Sequence, residues 1–273
     1  MQRWNNRVAV VTGASSGIGA ACVKYLANND RIHAIRCDVQ KEEDVIAAFK
    51  EIEEKYGPVS VLVNNAGITR HSDLLKEGNT EDIRAVIETN VLGIVWCTRE
   101  AFRSMKQSPN GDGHVFLINS VLGHQVLNFP LNIYAPSKYA VTALTEMYRQ
   151  EFLNNETKIK ITSISPGGVL TEFMSATEEE IAGMSFLASE DVADALIYCL
   201  QTPPNVQPLA KTHFPLLLPM QCAACSFNSP NSTAVAQSPS PVDKSNRRHM
   251  LHSSSSSFRI AYSQTHLGGS SWQ

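Results

Sequence analysis

The chain has 273 residues, of which 43% are apolar and 18% charged, with a formal net charge of −3. That length accommodates one sizeable α/β core, and the near-balanced charge gives no electrostatic footprint for nucleic acid or another polyanion. No stretch approaches the ~18–20 apolar residues of a membrane-crossing helix, and the amino terminus MQRWNNRVAVVTG lacks a basic-then-apolar leader.

Six cysteines, at 22, 37, 97, 199, 222 and 225, are scattered rather than paired by spacing. Reduced thiols and a cytoplasmic location are the expectation.

In chain order, RVAVVTG (7–13) is an apolar, β-branched run ending in glycine, a buried parallel strand. SSGIGAACVKYLAN (15–28) follows as a helix with a serine cap and Ile18, Cys22 and Leu26 at helical spacing. RIHAIRCDV (31–39) is a short strand, and KEEDVIAAFKEIEEKYG (41–57) a helix with acids in its first turn and Gly57-Pro58 stopping it. VSVLVNNAG (59–67) is another buried strand. The helical pattern of 80–105 is expected to bend near Asn90 and Gly93. GHVFLINS (113–120) is a strand ending at Ser120. A helix follows over 134–153, with Pro136 in its tolerant first turn. IKITSISPG (159–167) is a last parallel strand and 191–202 a closing helix.

Strand alternates with helix throughout, so the pattern predicts an α/β fold, a Rossmann-type doubly wound parallel sheet with ligands at the carboxyl ends of its strands. Residues 1–207 form the organised domain. From 208 to 273 the composition turns serine- and proline-rich, with fourteen serines, the run SSSSS at 253–257 and one acid, Asp243. No period runs through this tail, and disorder is its expected state. Its CAAC (222–225) has no second cysteine pair at zinc spacing, so no metal site is expected.

TGASSGIG (12–19) is a strand–turn–helix whose glycines 13, 17 and 19 suit a tight turn, close backbone approach and close helix packing. A helix amino terminus there offers an anion site. The spacing is not GxGxxG, and no GxxxxGK[ST] occurs, which disfavours an ATP-type loop. YAPSK places Tyr134 and Lys138 four residues apart on one helical face. A free phenol, with a pKa near ~10, is a weak base at neutral pH, and a nearby ammonium favours its ionised form. Ser120, ending the preceding strand, can hydrogen-bond the same oxygen.

TGASSGIG, NNAG (64–67), Asn90 in TNVLG, Ser120 in INSVLGH, YAPSK and SPGGVLTEF (165–173) occur in one order. Together they resemble the short-chain dehydrogenase/reductase family over about residues 7–207, most closely its insect farnesol dehydrogenase-like branch. The resemblance implies hydride transfer between NAD or NADP and a lipophilic alcohol or carbonyl: farnesol-like, steroid or retinoid. It implies Tyr134 as acid/base, Lys138 as its electrostatic partner and ribose ligand, Ser120 as the group holding the substrate oxygen, and Asn90 as anchor of a proton-relay water. Gly13, Ser16, Ile18 and Gly19 would line the pyrophosphate, while Asn64, Ala66 and Gly67 would flank the adenosine ribose. Pro166, Gly167, Val169 and Thr171 would border the nicotinamide. The helices at 91–105 and 134–153 resemble those of the family's dimer, so a homo-oligomer is implied. Val126, Leu127, Phe129, Met174, Met184 and Phe186 would line an apolar substrate side, with 172–187 as a lid, and His124 reads as a hydrogen-bonded loop residue.

The sequence departs from the family in two places. Only 25 residues separate Gly13 from Asp38, so about one βα unit is absent. The strand 31–39 then either slides beside the first strand or keeps its own place and leaves unpaired edges. The first costs less, and it would turn Asp38, which with Val39 matches the pair bordering the adenine ring in the family, into a ribose neighbour favouring NAD. The second departure is the tail, where the family's further strand is not recognisable. These departures support a rival reading, a catalytically impaired isoform that acts as a dimerisation partner.

Overall fold

The computed structural model describes residues 2–27, 31–127, 129–171, 185–208, 210–213 and 259–264. Its first strand, β1 (Val8–Thr12), is buried at every position. Such a strand needs apolar partners on both faces, and the alternation of side chains supplies them. Ala9 and Val11 join one core with Val61, Val63, Phe116, Ile118 and Ile164, covered by α1 (Gly17–Leu26) and α6 (Ser189–Gln201). Val8 and Val10 join a second core with Val115, Leu117, Ile159 and Ile161. That face is covered by α2 (Glu42–Tyr56), α4 (Gly93–Lys106) and α5 (Tyr134–Asn154). The remaining strands are β2 (Ile32–Arg36), β3 (Val59–Asn64), β4 (Asp112–Ile118), β5 (Lys158–Pro166), β6 (Ala210–His213) and β7 (Arg259–Gln264), and α3 spans Thr80–Ile87.

The described strands form one sheet in the order β2-β7-β1-β3-β4-β5-β6, with every pair parallel. This is the doubly wound sheet that the strand–helix alternation predicts. One expectation is corrected: strand 31–39 does not slide beside β1, because β7 lies between them and pairs residue for residue with both. Beyond residue 207, β6 extends the sheet from β5, and β7 enters near the other edge. β1 and β2 each carry an edge of N–H and C=O groups, and a third extended segment satisfies both. The serine run, CAAC and the rest of the tail lie outside the described residues.

The bend expected near Asn90 is a π-helical turn over Glu88–Leu92, between α3 and α4. Its wider backbone ring turns Asn90 into the interior, fully buried. Gly93 follows because α4 begins against Val39, where an added Cβ would lie 3.1 Å from both the Val39 Cγ2 and its carbonyl oxygen.

Candidate active site

The chemistry-bearing residues gather at the carboxyl ends of β1, β3, β4 and β5. Ser120 leaves β4 in extended backbone, and its Oγ accepts the Leu122 N–H at 3.1 Å, starting a single helical turn over Val121–Gly123. That bond fixes the hydroxyl, which also hydrogen-bonds the Tyr134 phenol. Tyr134 opens α5 and is buried. Burial raises its pKa above the ordinary phenol value, and the Ser120 hydroxyl pulls in the opposite direction.

Lys138 lies one turn further along the helix, 5% exposed, with Nζ 5.6 Å from the Tyr134 ring centre and donating to the Ile118 carbonyl at 2.9 Å. Burial lowers its pKa to about 8. The two side chains share one face, as their spacing requires. Desolvation by burial, rather than the lysine charge, dominates at Tyr134, and desolvation also lowers Lys138.

Asn90 braces this cluster. Its Oδ1 accepts from Ile68 N at 2.8 Å, and its Nδ2 donates to Ile68 O at 2.9 Å and Ser137 Oγ at 3.1 Å. Ser137 in turn donates to the Tyr134 carbonyl at 2.6 Å. The amide thus ties the loop after β3 to the first turn of α5.

At the other end of the cleft, Gly13 has φ +62° and Gly17 φ +52°, the left-handed region in which glycine alone is unstrained. A Cβ on Gly19 would lie 2.3 Å from the Gly13 carbonyl oxygen, so only glycine lets α1 start this close to the sheet. Ser16 stands at the cap of α1 and is exposed, yet its hydroxyl makes no capping bond. The first turn of α1 thus leaves backbone donors and a hydroxyl for an anion. Gly67 faces Asn90 and Lys138: a Cβ there would sit 3.5 Å from Oδ1 and 3.9 Å from Nζ. The bare glycine leaves a cradle beside the lysine. These features fit a dinucleotide with its pyrophosphate on α1 and one ribose toward Lys138.

The loop after β5 closes the cleft from the opposite side. Pro166 ends the strand, Gly167 is partly exposed, and Val169 is buried and bridged to Leu187. Thr171 comes so close to the loop after β1 that a Cβ on Gly17 would lie 3.1 Å from its Cγ2. In the loop after β4, Val126 and Phe129 are exposed, while Leu127 packs with Leu122, Leu131 and Tyr134. Phe186 lies over Gly168. Met174, Met184 and most of the segment read as a lid lie outside the described residues. His124 bonds Ser165 Oγ at 2.8 Å, as a loop residue does.

Three of the expected ligands have neighbours within the protein. The Asn64 side chain is buried and donates to Thr98 Oγ1 at 3.0 Å, toward α4. Val39 is core, 1% exposed. Asp38 does not follow the strand beside β1, because β7 takes that place; its Oδ1 accepts from Gln40 N and its Oδ2 is 3.8 Å from Lys41 Nζ.

Sequence reasoning missed Asn65 and Thr12. Asn65 Nδ2 donates to the carbonyls of Thr12 and Gly13 at 2.9 and 3.0 Å. Thr12 Oγ1 accepts the N–H groups of Asn65 and Ala66, each at 3.0 Å. This reciprocal clamp holds the loops after β1 and β3 together. The doubled asparagine of NNAG, beside a strand-end threonine, was the available signal.

Comparison with known proteins gives a consistent picture. The short chain dehydrogenase family profile matches residues 27–182. Farnesol dehydrogenase of Aedes aegypti is 47% identical over 234 residues, covering 76% of this chain and 95% of that protein. Human dehydrogenase/reductase SDR family member 11 is 40% identical over 248 residues, again covering 76% of this chain and 93% of the relative. Among solved structures, an alcohol dehydrogenase from the archaeon Thermococcus sibiricus complexed with 5-hydroxy-NADP is 25% identical, with TM-score 0.65 over 76% of this chain and 95% of that one. A serine dehydrogenase complexed with NADP+ shares the fold at 21% identity and TM-score 0.69, over 82% of this chain and 100% of that one.

Proposed function

Because the chain belongs to the short-chain dehydrogenase family and is an oxidoreductase with a nicotinamide cofactor, we propose that it interconverts a lipophilic alcohol and its carbonyl product, with farnesol-like isoprenoids the leading class. The observation that carries this reading is the buried Tyr134 phenol, hydrogen-bonded to Ser120 and backed by Lys138. When bound, the cofactor supplies or accepts the hydride.

The protein manages the proton and the geometry. Ser120 Oγ and Tyr134 Oη form a two-point seat for a substrate oxygen. Burial keeps the phenol protonated near neutral pH, so in reduction Tyr134 Oη donates its proton to the oxygen as negative charge builds there. Lys138, still largely charged at pH 7, stabilises the phenolate that remains. In oxidation the same groups act in reverse. Gly13, Ser16, Ile18 and Gly19 would hold the pyrophosphate, and Asn64, Ala66 and Gly67 would border the adenosine side through their loop. Pro166, Gly167, Val169 and Thr171 would border the nicotinamide. Asn90 keeps Ile68 and α5 in register, which positions Tyr134.

Exposed Val126, Phe129 and Leu170 around the strand ends support an apolar substrate, since isolated polar substrates gain nothing from them. Met147 and Leu153, exposed on α5, support a homo-oligomer through α4 and α5. The four cysteines among the described residues are buried, which suits the cytoplasm. That β7 fills the edge which the missing unit would leave open supports the enzyme reading over an impaired isoform acting as a dimerisation partner. The test is thermal unfolding with and without NADH and NADPH, followed by a screen of farnesol, retinol and steroid alcohols. A raised melting temperature and cofactor-dependent turnover support the reading; no shift with either cofactor overturns it.

A further inference from the structure

We propose that the amino end of the sheet, opposite the reaction cleft, carries a second binding site, in which Arg3, Lys158 and Lys160 receive the phosphate group of a small phosphorylated molecule. A cavity of about 600 Å³ lies there, lined by these three residues together with Trp4, Asp112 and Pro204. Its volume falls within the roughly 300–1,000 Å³ of sites for small organic ligands. Asp112 begins β4, Lys158 begins β5, and the two pair in register, which places the cavity at the amino ends of these strands. Pro166 stands at the other end of β5, and at ~3.3 Å per residue the strand puts about 26 Å between cavity and cleft. The site is therefore separate from the one that holds Tyr134.

Cations outnumber carboxylates around the cavity. Asp112 supplies a carboxylate to the lining, and its Oδ1 is already held by Arg7 Nη1 at 2.9 Å. Among the described residues Arg3, Lys158 and Lys160 form no ion pair. Lys160 is buried, its Nζ donating to Thr202 Oγ1 at 3.1 Å and to the carbonyls of Val206 at 3.0 Å and Pro203 at 3.4 Å. These neutral acceptors solvate the ammonium without cancelling its charge. A buried cation balanced only by dipoles is costly, and a bound anion offsets that cost. Burial, then Arg3, lowers the Lys160 pKa to about 8. The same field reaches His114, the register partner of Lys160 on β4, whose pKa is lowered by burial and then by Lys160 and Arg3.

The donors are held ready. The Arg3 guanidinium lies 4.8 Å over the Trp4 ring and donates to the Leu200 carbonyl at 3.3 Å. Trp4 Nε1 donates to the same carbonyl at 2.9 Å, so the ring beneath the guanidinium is fixed to the end of α6. Lys158 is exposed at the rim, free to swing onto a ligand. A guanidinium and an ammonium beside a third, buried charge suit a dianionic phosphate better than a single carboxylate. Lys160 contributes charge, its protons being engaged. The Trp4 and Pro204 walls leave the remaining volume to the organic part of the ligand.

The test is calorimetric titration of the full chain with inorganic phosphate, phenyl phosphate and succinate, at an ionic strength held constant with chloride. Each titration is run with and without NADH and repeated on Lys158→Gln and Arg3→Gln. The proposal expects both phosphates to bind more tightly than succinate, phenyl phosphate at least as tightly as inorganic phosphate, and NADH not to displace them. Each substitution should weaken phosphate binding at least about fivefold and leave NADH affinity unchanged. Binding that NADH displaces, that survives Lys158→Gln, that succinate equals, or that vanishes against chloride overturns it. If Arg3→Gln does not fold, having lost the bond to Leu200, the exposed Lys158→Gln decides alone. If the chain does not bind NADH, the nicotinamide reading fails, and the response to Lys158→Gln still decides this site.

Discussion

Asn90 grips the backbone of Ile68 at both ends, its Oδ1 accepting from the N–H at 2.8 Å and its Nδ2 donating to the carbonyl at 2.9 Å. The side chain mimics a strand partner for one residue of loop, inside a region where water does not compete. A third bond, to Ser137, carries the restraint into the turn that bears Tyr134. Asn90→Leu removes all three bonds and leaves the Ile68 groups buried and unsatisfied. The expected cost is about 2–4 kcal/mol in urea unfolding, with turnover falling further than the loss of folded protein explains. A stability change under about 0.5 kcal/mol would show that the amide is dispensable.

Lys138 carries a stability penalty that its function requires. Its pKa falls from 10.5 unfolded to about 8 folded, so the folded chain binds fewer protons than the unfolded chain between those values. Stability therefore rises as pH increases from about 8 toward 10.5, and the penalty is fully present below about pH 8. The shift corresponds to roughly 3 kcal/mol, reduced in a replacement by loss of the bond to the Ile118 carbonyl. Lys138→Met is expected to melt higher than the wild type at pH 7 and to lose turnover. The stability gap should narrow as pH approaches 10. Lys160, also lowered to about 8 by burial, titrates in the same window, and comparison of the two proteins cancels its contribution. A lower melting temperature for the variant at pH 7 would contradict the assignment.

Gly19 tests the close approach of α1 to the sheet. An alanine methyl there meets the Gly13 carbonyl oxygen at 2.3 Å and the Asn65 amide at 2.5 Å, so backbone must move. Gly19→Ala is expected to destabilise by about 1–3 kcal/mol. It should also weaken cofactor binding, because the clamp from Asn65 to Thr12 and Gly13 is displaced with it. Calorimetric binding of NAD(P)H at equal folded fraction checks this; unchanged affinity would remove the clamp from the site.

Much of this arrangement was legible in the sequence, for physical reasons that differ by element. β1, β3 and β4 announce themselves because a strand buried on both faces must be apolar throughout. Tyr134 and Lys138 share a face because helical geometry fixes residues four apart. The irregularity at Asn90 shows as polar and glycine residues interrupting a helical period, and it emerges as the π turn. β7 was not legible. Its six residues, RIAYSQ, alternate too weakly to stand out after a serine-rich stretch. Its partners lie more than two hundred residues away, and such pairing leaves no local signature. The bonds of Thr12 and Asn65 were equally hidden, since a loop polar residue reveals its partner only once the chain has folded.

The central claim is that Tyr134 exchanges the proton that accompanies hydride transfer. Its most direct test is single-turnover transfer of deuterium from 4-deuterated NADPH or NADH to a lipophilic aldehyde or ketone, in the wild type and in Tyr134→Phe. Both proteins should bind the cofactor with similar affinity. The wild type should deliver deuterium to the carbonyl carbon, and the variant should deliver it at least about a hundredfold more slowly. Transfer at an undiminished rate in Tyr134→Phe would contradict the account.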